Sequence, residues 1–399
     1  MIRRGVAVLA VVFFAALAAP SQAAAFPWMV KHEYAGCAQC HSDPSGAGVL
    51  TAYGRAQAEI TVRTPWGKRG DEWEPGFASK AFFGIVDLPQ ELDIGFSSRS
   101  AQLIVEPEEG EGDERFLQMQ TDIRAHYRLG KARVYASLAP SKADRTDFER
   151  ITKNDEEDGV NLISREHWAG WAVNDQLLVR GGRMVLPFGV RQNEHYLWVR
   201  EATRTDLDST SQHGLSVAYS GEKLRTDVMA IAGNYTVSPD RYRERGYSGM
   251  VEWAFTPRYI VGASSLVAHS EAGIGIGKPF TRMAHGAFAR VSPHPMVAIL
   301  AEADFLSNQV DEDDAVTGYA TMLQADVEPI QGVHLVLTGE TFRPDSDGAD
   351  PLLGGWASIV WYFAPHVDVR VDAVRRTFPV GNDERTAINL YLLQLHFFL

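Results

Sequence analysis

From about Glu91 onward, apolar and polar residues alternate with a period of two over most of the chain. Leu117, Met119, Thr121, Ile123, Ala125 and Tyr127 interleave with Gln118, Gln120, Asp122, Arg124, His126 and Arg128. Val367, Val369, Val371 and Ala373 do the same with Asp368, Arg370 and Asp372. Val297, Ile299, Ala301, Ala303 and Phe305 share a stretch with Glu302 and Asp304, and Leu323, Ala325 and Val327 one with Gln324, Asp326 and Glu328. That period predicts strands with one apolar and one wet face. A soluble sandwich buries the apolar face between two sheets; a membrane barrel turns it to lipid.

The connections separate these two architectures. Short turns at 129–131, 173–176, 220–223, 256–258, 292–295, 328–332 and 363–366 alternate with longer polar segments. The latter fall at 106–114, 141–160, 188–211, 235–246, 270–279, 307–315, 343–352 and 379–384. Outer-membrane barrels sort their loops this way, with tight periplasmic turns and long outer loops. The count between them predicts an all-β, transmembrane outer-membrane barrel of about sixteen antiparallel strands over residues 91–399. The alternation of Tyr391, Leu393, Leu395 and Phe397 up to Leu399 resembles a barrel's terminal assembly strand, with leucine where an aromatic residue is usual.

The first residues assign a compartment. Arg3 and Arg4, an apolar run from Val6 to Ala19, and Ser21-Gln22-Ala23 or Ala23-Ala24-Ala25 read as a secretory signal peptide over 1–25. The remaining chain, about 375 residues, would ordinarily make two or more globular domains, yet no helical pattern or linker divides it. No later stretch is apolar for long enough to form a transmembrane helix. The net charge of −13 excludes nucleic acid as a partner, which calls for a basic face.

Residues 26–66 form a unit of another kind, joined to the barrel by a Gly/Pro-rich connector at 67–90. Its centre is Cys37-Ala38-Gln39-Cys40-His41, the only two cysteines of the chain. The spacing Cys-x-x-Cys-His is that of covalent c-type haem attachment. Two thiols add across the vinyl groups of one porphyrin, and the adjacent imidazole of His41 reaches the iron as proximal ligand. A periplasmic disulfide would instead sit at a helix start within a βαβ pattern, and none surrounds it. The distal position is open between His32, Met29 and an exogenous ligand; methionine would give the higher potential. So short a segment buries little core unaided, and aromatic residues such as Trp28, Tyr34 and Tyr53 around a porphyrin would supply the missing contact.

A signal peptide, one such motif near the mature N-terminus and a barrel of about sixteen strands resemble the fused outer-membrane monohaem cytochrome–porins of the iron-oxidising type. Cys37, Cys40 and His41, followed by Pro44, Leu50, Tyr53 and Gly54, look like that family's motif and its Pro…Leu…aromatic-Gly run, here with Gly46 and Gly48 inserted. The resemblance implies one haem c, held as a plug in or under the lumen on the periplasmic side. It implies electron transfer across the outer membrane, with a donor such as extracellular ferrous iron and a periplasmic cytochrome c or other carrier as partners. Outer-membrane lipid is a further partner. Whether this amounts to a ferrous-iron oxidoreductase is open. A diffusion porin with a haem-bearing plug, or a barrel sheathing a separate multihaem cytochrome, are the alternatives.

Two other features were weighed. Acidic runs at 106–114, 155–158, 311–314 and 345–350 suit divalent cations, but charge runs usually mark solvated faces. Arg183 to Arg191, with His195 and Trp198 beyond, reads as a strand end leading into the longest loop.

Overall fold

The computed structural model describes residues 26–46, 48–66, 88–142, 150–152, 154, 156, 159–192, 194, 196–206, 210–348, 350–380 and 384–399. The expected signal peptide and most of the connector lie outside them. Sixteen antiparallel strands close into one barrel. The first eight are β1 (Leu92–Pro107), β2 (Asp113–Leu129), β3 (Ala132–Lys142), β4 (Val160–Ile163 with His167–Ala172), β5 (Leu177–Met184), β6 (Gln212–Ser220), β7 (Leu224–Gly233) and β8 (Arg245–Thr256). Then come β9 (Tyr259–Ser270), β10 (Phe280–His294), β11 (Val297–Val310), β12 (Val316–Ile330), β13 (Val333–Arg343), β14 (Leu352–Ala364), β15 (Val367–Val380) and β16 (Glu384–Phe398). The fourth is interrupted at 164–166, but both halves pair with β3. Each strand pairs with its sequence neighbour, and β1 closes on β16 from Ser97↔Phe398 to Pro107↔Ile388. The ring of paired strands is closed, as a membrane barrel requires.

The sequence pattern explains which face goes where. Val371, Leu393, Leu323 and Phe305 are exposed on the outside, where lipid replaces water. Asp122, Arg124, His126, Asp368 and Asp372 are buried inside. One expectation needs correcting. The β1–β2 register shifts between Arg99 and Ser100, and this bulge breaks the strict alternation expected over 117–127. Leu117 and Met119 consequently line the lumen, while Phe116, Ile123 and Tyr127 are exposed outside. A bulge inserts one residue and inverts the facing of all that follow.

Two segments fill the lumen. Residues 26–66 enter at the short-turn end. Trp66 Nε1 donates to Phe363 O at 2.5 Å, Thr64 N to Tyr362 O at 2.8 Å, and Gln331 Nε2 to Ile60 O at 2.8 Å. The 185–211 connection enters from the other end instead of standing out as an external loop. Its Val185, Leu186, Phe188, Val190, Leu197 and Val199 are buried, and Ser248 Oγ donates to Pro187 O at 2.9 Å. His195 lies outside the described residues, whereas Trp198 opens a short helix, Trp198–Thr203, whose first amide donates to Glu340 Oε2 at 2.9 Å.

Candidate functional site

The Cys37–His41 stretch is a tight turn that the following residues hold shut. Cys40 N and His41 N both donate to Cys37 O, at 3.1 and 3.0 Å. Ser42 N donates to Val49 O at 2.9 Å and Thr51 N to Cys40 O at 2.8 Å, so 49–51 run back along the motif. Gly46 and Gly48 turn the chain between these two arms with φ of 95° and 80°, where only glycine sits without strain. Thr51 then caps the helix Ala52–Gln57, its hydroxyl accepting from Gly54 N at 3.1 Å. Gly54 packs so closely on the turn that a methyl group there would collide with the Cys40 carbonyl.

The unit is tied to the barrel wall by charge and by apolar packing. Lys31 pairs with Asp326, and with Glu328 at 3.1 Å, while lying 4.7 Å from the Trp28 ring. Asp43 accepts from Ser45 Oγ at 2.7 Å and pairs with Arg180, which also meets Asp227 at 2.7 Å. Arg290 donates to Ala35 O at 2.9 Å and to Glu252 Oε1 at 2.8 Å. Apolar packing adds to this: Trp28, Val30, Leu50, Ala58 and Val62 are buried in one cluster with Ile260, Val336, Val360 and Phe398 of the wall, and Phe26 meets Tyr362 and Phe398 edge-on.

Between plug and wall lies a partly open space. Cys37, Cys40, His41 and Met29 all line it, with Phe26, Leu50, Ala58, Val62 and Phe398 as apolar wall. Two free thiols, an imidazole and a thioether on one dry cavity are a donor set that fits a covalently held haem. The two distal candidates part company here. Met29 faces the cavity; His32 Nε2 instead contacts Glu328 Oε2 at 3.1 Å. Burial pushes the Cys37 thiol up and Cys40 up to about 12. An adjoining space is lined by Cys37, Arg191, Arg225, Asp227, Glu252 and Arg290. None of these wall residues stood out in the sequence, since each joins the motif only across more than a hundred residues of chain.

A larger chamber, about 2,510 Å³ with its opening, occupies another sector of the lumen and touches no cysteine. Arg99, Arg370 and Asp372 give it polar points, Leu103, Leu117 and Leu390 an apolar flank. Among the described residues no group of three His, Cys, Asp or Glu side chains is placed to hold a metal ion, the acidic runs at 106–114 and 311–314 included; Asp155, Glu157 and Asp158 lie outside those residues. No helix of the described residues is long and apolar enough to cross a membrane; the chain crosses with strands.

No protein-family model and no curated protein matches the chain. Solved structures do. A loop-deletion form of OmpT, an outer membrane protein of Vibrio cholerae, superposes with a TM-score of 0.58 at 11% identity, covering 77% of this chain and 100% of that one. An anion-selective porin from Comamonas acidovorans gives 0.55 at 9% identity, covering 77% and 99%. Pseudomonas putida OprB gives 0.53 at 12%, covering 77% and 94%. The chain has an outer-membrane porin fold. At such identities the likeness carries the barrel alone and says nothing of residues 26–66.

Proposed function

We propose that this porin-fold protein is a monohaem cytochrome–porin that passes electrons across the outer membrane, as the family resemblance implies. The observation that carries the reading is the shared cavity of Cys37, Cys40, His41 and Met29 inside the lumen. Cys37 and Cys40 would each add S–H across one vinyl group, sulfur to one carbon and hydrogen to the other, with no oxidant consumed. His41 would be the proximal ligand and Met29 the distal one, and a Met/His pair favours a raised potential. When bound, the haem supplies a one-electron redox couple. Phe26, Leu50, Val62 and Phe398 keep water from it, lowering the local dielectric. Because thiols whose pKa is raised in this way are poor nucleophiles, attachment would precede docking of the unit in the barrel. An extracellular donor such as ferrous iron and a periplasmic carrier are the partners of this reading.

The apolar band of a membrane barrel is about 25 Å tall, and tunnelling falls steeply with distance. The motif contacts the short-turn halves of β7, β8 and β10 through Arg225, Glu252 and Arg290, so a carrier would approach from the periplasmic end. The large chamber favours a second reading, a diffusion channel whose plug carries the haem. Liposomes enclosing an oxidised cytochrome, with haem-loaded protein in the membrane and ferrous iron outside, separate them. Reduction of the enclosed acceptor by the wild type but not by Cys37→Ala supports electron transfer. Solute leak without reduction supports the channel, and reduction only after adding a multihaem partner supports a sheath.

A further inference from the structure

We infer that Arg191, assisted by Arg225, binds a propionate carboxylate of the haem attached at Cys37. The assignment rests on the haem reading above and names residues outside the attachment motif. Arg191 belongs to the 185–211 connection, which the wall grips just before it. Gly189 N donates to Ser264 Oγ at 2.8 Å and Val190 N to Glu302 Oε2 at 2.9 Å. The guanidinium that follows is 5% exposed, and none of its three nitrogens finds an acceptor among the described residues. Arg225 Nη2 is likewise buried without one, although its Nε reaches Glu252 at 3.0 Å. Both arginines line one cavity with Cys37.

The charges around this cavity do not balance. Arg180 takes Asp43 and Asp227; Arg225 and Arg290 share Glu252. Among the residues lining the cavity, the three cations Arg191, Arg225 and Arg290 face the two carboxylates Asp227 and Glu252. Asp43, Asp227 and Glu166 act on it through charge, yet none accepts a hydrogen bond from it. A buried guanidinium with its donors unmet is costly, and its planar fork matches a carboxylate. A porphyrin joined to Cys37 brings two carboxylates on its edge. A free small anion could offer the same chemistry, so the test must tell the two apart.

The experiment compares Arg191→Gln and Arg191→Lys in the haem-loaded protein, and Arg191→Gln in the haem-free Cys37→Ala/Cys40→Ala chain. Urea unfolding in lipid vesicles and the haem midpoint potential are the readouts. With haem bound, Arg191→Gln should lower both the unfolding midpoint and the potential, because a cation beside the haem favours its reduced form; Arg191→Lys should restore part of each. In the haem-free chain the same substitution should raise the unfolding midpoint, since it removes an unmet buried charge. A shift of the same sign in both chains with an unchanged potential would overturn the assignment and leave Arg191 structural. Stabilisation of the haem-free chain by chloride or phosphate, lost in Arg191→Gln and unaccompanied by any potential change in the loaded form, would give the site to a free anion instead. A wild-type chain without covalent haem defeats the underlying reading at once, before any Arg191 variant is compared.

Discussion

The two segments that fill the lumen differ in how much charge joins them to the wall. The 185–211 connection is packed to completion: Leu186, Phe188 and Leu197 are fully buried in one cluster with Leu266, Leu300 and Met322 of the wall. Its Arg200 meets Glu302, Phe188 O at 3.0 Å and Thr205 Oγ1 at 2.9 Å, whereas its Arg191 meets no acceptor among the described residues. The 26–66 unit adds ion pairs to Asp326, Glu328, Arg180 and Asp93 to its own apolar cluster with the wall, and Cys37, Cys40, His41 and Met29 line a space beside it. Native interiors are close-packed. The unit brings both thiols of the chain to one cavity, whereas the connection brings mainly apolar side chains to the wall. The difference assigns the connection to the barrel's architecture and the unit to its chemistry.

Removing each segment's anchor should expose that difference. Deleting residues 26–66 behind an intact signal peptide should leave a folded barrel, because neither the strand register nor the β1–β16 closure depends on them. Single-channel conductance in planar bilayers should then rise several-fold, since a sixteen-stranded barrel otherwise leaves an aqueous channel. Equal conductance with and without the segment would show that the unit does not obstruct the lumen. Arg200→Met strikes the other segment, leaving Glu302 as a buried charge without its cation. Loss of about 3–5 kcal/mol in urea unfolding is expected, with covalent haem content unchanged. The finest distinction lies within the unit. Met29→Leu should keep the covalent haem but change its optical spectrum and lower its potential. His32→Ala should alter neither, and should cost no more than about 1 kcal/mol for the partly exposed contact to Glu328. The reverse outcome would make His32 the ligand.

Much of this was legible in the sequence for a physical reason. A period of two is local, so the lipid-facing Leu393 and Val371 and the lumenal Asp122, Asp368 and Asp372 could be sorted without knowing any partner strand. The sorting of short and long connections is also written along the chain, and with it the strand number. The spacing of Cys37, Cys40 and His41 is local too, and the expectation of haem attachment rests on it. What could not be read was whatever depends on pairing across the barrel. The bulge at Met119 arises from register with β1. The inward fold of 185–211 left one unused signal: Val185-Leu186-Pro187-Phe188-Gly189-Val190 is too apolar for an exposed loop. Arg191, Arg225 and Arg290 look like any wet-face arginines until the fold brings them to Cys37.

The central claim is that one haem is covalently held at Cys37 and Cys40 inside this barrel. Its most direct measurement is the intact mass and haem-stained denaturing gel of protein purified from outer membranes of a cytochrome-maturing host. The account predicts a mass one haem above the mature polypeptide and a stained band for the wild type. Single Cys37→Ala and Cys40→Ala variants should lose that attachment, and Gly54→Val, which pushes the helix off the turn, should lower haem occupancy. A wild-type chain at the bare polypeptide mass, unstained and with both thiols free to alkylate once unfolded, would contradict it.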